Sequence, residues 1–156
     1  MKTRNIIIIL FIAIGFITLN SFGRISNTLN SDSEMTMSPQ KGADPADAKY
    51  PAGAKIYKEK CIICHMANGE GITGAFPPLK NSDYLFKDKV RAVAQALNGS
   101  QKLIVVNGVT YTAPMTPQVN TKEDAVAVIN YVLNAWGNKG GTVTLDEVKN
   151  VVINPR

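Results

Sequence analysis

A chain of 156 residues with 45% hydrophobic and 19% charged residues has room for one packed domain with short appendages, and it is too apolar to be intrinsically disordered. Its formal net charge of +5 is no sign of a nucleic-acid partner, because Lys2, Arg4 and Arg24 stand near the N-terminus and leave fourteen basic against twelve acidic residues from position 25 onward. Two cysteines and one histidine are too few for a four-ligand zinc site, and no internal repeat is visible.

Lys2 and Arg4 precede an apolar run from Ile6 to Leu19, interrupted only by Gly15 and Thr18. As a helix this run spans about 21 Å, short of the ~30 Å hydrocarbon core of a bilayer. A basic start and a run of that length read as a signal peptide over residues 1–22. An uncleaved N-terminal anchor is the alternative, since Asn20-Ser21-Phe22-Gly23 makes a poor small-x-small cleavage site. Residues 23–46 are rich in Ser, Asn, Asp and Pro without hydrophobic periodicity, which suggests a flexible linker. A folded domain is expected over 47–140, followed by a C-terminal extension over 141–156.

The first helix of that domain should run from Pro51, a residue suited to a first helical position, into Cys61-Ile62-Ile63-Cys64-His65. C-x-x-C-H is the attachment signature of a c-type haem. Two thiols one helical turn apart can add to the two vinyl groups on one porphyrin edge, and the adjacent histidine then offers a neutral imidazole nitrogen to the iron. Other readings are weaker. A thioredoxin-like dithiol expects a strand leading into the motif, whereas Gly53 to Lys60 reads as helix. A plain disulfide would leave the histidine unexplained. Bacterial c-type haem is attached outside the cytoplasmic membrane, so the motif and the export signal agree.

Asn68 to Gly74 is glycine-rich loop, and Phe76-Pro77-Pro78-Leu79 is an extended apolar stretch that cannot be helical. Asp88 to Leu97 predicts a helix with Val90, Val93, Ala94 and Leu97 on its inner face and Asn98-Gly99 as its stop. Leu103 to Val106, Asn107-Gly108 and Val109 to Tyr111 predict a β-hairpin, with Asn-Gly supplying positive φ at both turn positions. Thr121 caps a helix expected to reach Trp136, with Ala125, Val128, Ile129, Val132, Leu133 and Trp136 at helical spacing and Gly137 ending it. Thr144 and Glu147 form a capping-box pattern that predicts a last short helix from Leu145.

His65 is the sole histidine, so a second histidine ligand from this chain is excluded and a thioether is the expected sixth ligand. Met1 belongs to the leader, Met35 and Met37 to the linker, and Met66 is too close to His65 to reach the other face of the ring. Met115 remains, on the stretch Tyr111 to Pro117 that Pro114 and Pro117 stiffen. The competing reading is a methionine that fills the core.

The order helix, CxxCH, Gly-rich loop, Pro-Pro-Leu, helix, methionine loop and C-terminal helix resembles the class I monohaem cytochromes c over about residues 47–137. That resemblance implies an all-α fold, three to five short helices wrapped around one covalent haem c, with a small hairpin before the methionine loop. It also implies that the carbonyl of Pro77, or less favourably Pro78, accepts the ring N–H of His65, and that Gly53 and Tyr57 pack against Tyr131 or Leu133. Thr116 after Met115, where the family commonly has proline, leaves the loop geometry open. Gly71 to Leu79, the Asn-Gly hairpin and Trp136 to Gly141 look similar to cytochrome c domains associated with copper nitrite reductases, suggesting a respiratory setting.

The function implied is that of an electron carrier rather than an enzyme, exported to the periplasm, exchanging single electrons with a reductase or oxidase. Docking is expected at the haem edge ringed by Ile63, Ala75 and Met115. Two alternatives stay open: a cytochrome subunit of a reductase or oxidase tethered to the membrane through residues 6–22, and a haem enzyme or gas sensor with a labile sixth ligand.

Overall fold

The computed structural model describes residues 44–155, so the leader and nearly all of the expected linker lie outside the described residues. Helix α1 (Pro45–Lys49) starts two residues before the boundary expected at Asp47, because Asp44 accepts a bond from the Ala46 amide and Pro45 needs none. Tyr50 then separates α1 from α2 (Pro51–Ile56). From α2 the chain continues without a break through a π-helical turn, Tyr57–Cys61, into α3 (Ile62–His65). Helix α4 (Asp83–Lys87), capped by the Ser82 hydroxyl, was not anticipated from the sequence. Helix α5 (Lys89–Asn98) is stopped by Gly99, as the pattern predicted, while Asp88, expected as its first residue, caps it.

Strands β1 (Ile104–Val106) and β2 (Val109–Tyr111) pair antiparallel with Val106 opposite Val109. Asn107 and Gly108 take φ of 50° and 80°, the turn that suits the twist of two tightly linked strands. Helix α6 (Lys122–Val132) is capped by Thr121 and ends four residues short of Trp136. A 3₁₀ turn at Ala135–Gly137 follows, in which Trp136 is left-handed at φ 56°. The helical spacing of the tryptophan therefore carried across a break that the spacing itself could not reveal.

The core forms where α2 and α5 pack on α6. Gly53 is required at the first crossing, since a Cβ there would stand 2.1 Å from the Ala127 carbonyl oxygen and 2.8 Å from Cβ of Tyr131. One turn on, the Tyr57 ring lies 5.5 Å from that of Tyr131 and 4.9 Å from that of Trp136. The inner face of α5 differs from the expected one. Ala92, Val93, Ala96 and Leu97 are buried, whereas Val90 is 37% exposed. Two surfaces claim this helix: Val93 and Leu97 enter the core, while Ala92 and Ala96 line a cleft that larger residues would fill.

The capping-box bonds between Thr144 and Glu147 form, but Leu145 to Asn150 make successive turns instead of the expected helix. A cap satisfies only the first amides, and of Leu145, Val148 and Val152, which stand at helical spacing, only Val148 is buried, too little packing to sustain a helix. The segment nonetheless packs on the domain through Val143 and Val148, both buried. No helix among the described residues is long and apolar enough to cross a membrane.

Candidate haem-binding site

A cleft open to solvent collects Cys61, Cys64, His65, Pro77 and Met115 on its walls. Most of the remaining lining is apolar, including Phe76, Leu79, Leu85, Ile104, Val128 and Ile129. These five site residues come from three segments separated by up to fifty positions, and the fold brings all of them to one cavity. Met66 is not on its wall.

His65 is buried at the end of α3, and its Nδ1 donates to the carbonyl oxygen of Pro77 at 2.9 Å. A carbonyl can only accept, so Nδ1 carries the proton and Nε2 keeps its lone pair. Burial holds the imidazole below its ordinary pKa against the opposing pull of that carbonyl, which keeps it neutral, as a metal ligand must be. The Pro77 carbonyl is itself placed by Gly71. Gly71 has φ 64°, its amide donates to the His65 carbonyl at 3.1 Å, and a Cβ on it would meet the Phe76 oxygen at 2.4 Å. Gly69, at φ 66°, admits the Trp136 ring at a distance no side chain would allow, while its carbonyl accepts from Leu79 and Lys80.

Asn138 closes the same loop from behind. Only 6% exposed, it donates to the carbonyls of Leu79 and Val132 and accepts from the Asn81 amide at 2.8 Å. Sequence reasoning missed it, since an asparagine after Gly137 reads as an ordinary turn residue.

Burial, reinforced by the neighbouring Cys64 sulfur, pushes the Cys61 thiol up to about 11. A dithiol redox centre needs the opposite, an attacking thiol held below its usual value. The two cysteines suit thioether attachment better than disulfide exchange.

Arg91 is a second residue the sequence did not single out. Its guanidinium carbon lies 3.6 Å from the centre of the Tyr84 ring and one terminal nitrogen donates to the Tyr84 carbonyl, yet the buried Nε has no partner. Arg91 and Tyr84 both line the cleft. An apolar slot with two thiols, a neutral imidazole, a thioether and a buried unsatisfied cationic donor fits a porphyrin, whose body is apolar and whose propionates are anionic.

A family model for cytochrome c matches residues 50–136, the stretch from the start of α2 to Trp136. The chain belongs to the cytochrome c family. Membership carries covalently bound haem c and haem-based electron transfer, and it agrees with the helical fold and short hairpin. Cytochrome c-552 of Thermus thermophilus is 40% identical over 91 residues, covering 55% of this cytochrome and 69% of the relative. In Gluconobacter oxydans, the cytochrome c subunit of alcohol dehydrogenase (quinone) is 29% identical over 101 residues, which cover 63% of this chain and 21% of that subunit. A thiosulfate dehydrogenase of Thiomonas intermedia is 49% identical over 45 residues, 26% of this chain and 13% of the relative.

Proposed function

We propose that this cytochrome is an exported single-electron carrier whose iron is held between His65 and Met115. Bound haem supplies a one-electron ferrous–ferric couple. The observation that carries the reading is Met115 itself, the one methionine among the described residues on the wall of the cleft that His65 lines. Its amide donates to the Ser100 carbonyl and its carbonyl accepts from the Ser100 amide, both at 2.8 Å, so the loop is fixed before any ligand bond forms. A thioether favours the ferrous state and raises the potential. With both axial positions filled by protein, no site is left for oxygen or peroxide, which argues against the enzyme and gas-sensor alternative.

Ile63, 77% exposed beside the two cysteines, supports docking of redox partners at the mouth of the cleft. Such encounters are small and transient. The basic start and apolar run of residues 1–22 support export to the periplasm. The likeness to a dehydrogenase cytochrome subunit favours a second reading, a subunit held to its complex or to the membrane through residues 6–22. N-terminal sequencing of the exported protein, with co-purification, separates the two: a retained leader and a bound large partner speak for the subunit. A nitrite reductase-like partner is one candidate, tested by electron exchange in vitro.

Met115→Ala tests the ligand. Haem should stay attached, the far-red band of ferric iron–thioether bonding should vanish, the potential should fall, and carbon monoxide should bind the ferrous form. Unchanged potential and ligand binding would mean that the sixth ligand is another group.

A further inference from the structure

The methionine loop hangs from the last turn of α5. Ser100 and Met115 exchange both backbone bonds, while the Gln118 and Val119 amides donate to the Ala96 carbonyl at 2.9 and 3.3 Å. Between these two attachments Gly99, at φ 74°, lets the Met115 carbonyl approach to where a Cβ would stand only 2.3 Å from it. The loop therefore keeps its place only while the end of α5 keeps its own, and helix ends fray readily.

That end is gripped from outside by the C-terminal segment. Asn98 Nδ2 donates to the Val152 carbonyl and Asn98 Oδ1 accepts from the Asn154 amide, each at 2.8 Å. The segment is anchored further back by the buried Val143 and Val148, by reciprocal bonds between Asn130 and Val143, and by Lys122 Nζ on the Lys149 carbonyl. It forms a strap fixed at its root in the core and closed at its tip on one asparagine side chain.

We infer that Asn98 is a positioning residue for the axial methionine, and that the strap from Val143 to Asn154 restrains detachment of Met115 by holding the end of α5. The inference rests on Met115 being the sixth ligand. Detachment of a ligand carried on a loop proceeds by local opening, whose cost includes every bond that must part with it. Asn98 adds two such bonds, and neither touches the cleft.

The test uses ferric holoprotein and the rate at which cyanide replaces the sixth ligand. Three variants are compared with the parent: Asn98→Ala, a chain ending at Val151, and the two combined. Each single change should speed cyanide binding by roughly fivefold, from two exposed hydrogen bonds of modest net worth. The combination should be no faster than either alone, because both remove the same pair of bonds. The far-red band should persist at neutral pH in all three. An unchanged rate in either single variant, or multiplied effects in the combination, overturns the inference, and the shortened chain keeps the test open should Asn98→Ala not fold. Absence of the band in the parent, or a cyanide rate unaltered by Met115→Ala, overturns the ligand assignment and this inference together. A normal Met115→Ala response beside an inert Asn98→Ala condemns the strap alone.

Discussion

The two walls that carry His65 and Met115 are built differently. His65 sits in a buried, cross-braced corner where Gly69, Gly71, Pro77 and Asn138 lock loops from three parts of the chain together. Met115 stands on an exposed loop after a short hairpin, held by backbone bonds to the end of one helix. One side is fixed by packing and buried hydrogen bonds, the other by a seam at the surface. On the ligation proposed above, His65 is the firmly held ligand, and the lighter frame of Met115 tunes how easily that ligand leaves.

Damage in the crowded corner around His65 should therefore cost more than damage in the open hairpin that leads to Met115. Gly71→Ala combines a positive φ with a backbone clash and should destabilise the holoprotein by about 3 kcal/mol in denaturant unfolding, displacing the Pro77 carbonyl and shifting the potential. Asn138→Ala removes three hydrogen bonds at a buried site and should cost about 2 kcal/mol by the same measurement. Gly108→Ala meets a similar φ of 80° but no crowding, and about 1 kcal/mol is expected, with no change at His65. Equal losses at Gly71 and Gly108 would erase the contrast.

Tyr57→Phe should have a similarly small effect at neutral pH, about 1 kcal/mol for the lost 2.6 Å bond from the phenol to the Met66 carbonyl. Its pH dependence is more telling. Burial raises the Tyr57 phenol above its ordinary value of 10.0, so the phenolate is favoured only in the unfolded chain. The contribution of Tyr57 is whole below about pH 10 and is lost as pH climbs above it. The phenylalanine variant should fall less steeply there in unfolding measurements.

Much of this was legible because local chemistry and tertiary structure agree. The CxxCH spacing, the Asn-Gly turn and the cap at Thr121 each carry their own physical cause within a few residues. Pro77 and the pairing of Gly53 with Tyr131 came from the family resemblance. The elements that escaped depend on distant partners. Helix α4 is five residues long and lacks a periodic pattern of its own. The face of α5 was misjudged because valine outweighs alanine in any hydrophobic count, while the cleft wall favours the smaller side chain. Arg91 and Asn138 acquire meaning only from what the fold sets beside them, and the strap reads as a short capped helix until Val143 and Val148 are seen in the core.

The π turn at Tyr57–Cys61, closed by the Ile62 amide on the Tyr57 carbonyl, has a further consequence. In an uninterrupted α-helix Gly53, Tyr57 and Cys61 would fall on one stripe, and the attachment thiols would point at α6. The extra residue in that turn swings everything beyond it by about 100°, so one continuous rod offers one flank to its neighbour helix and another to the cavity. That turn carries one residue more than an α-helix needs, so deleting one of Lys58 to Lys60 should close it into plain α-helix and leave both sulfurs and the imidazole facing the cavity.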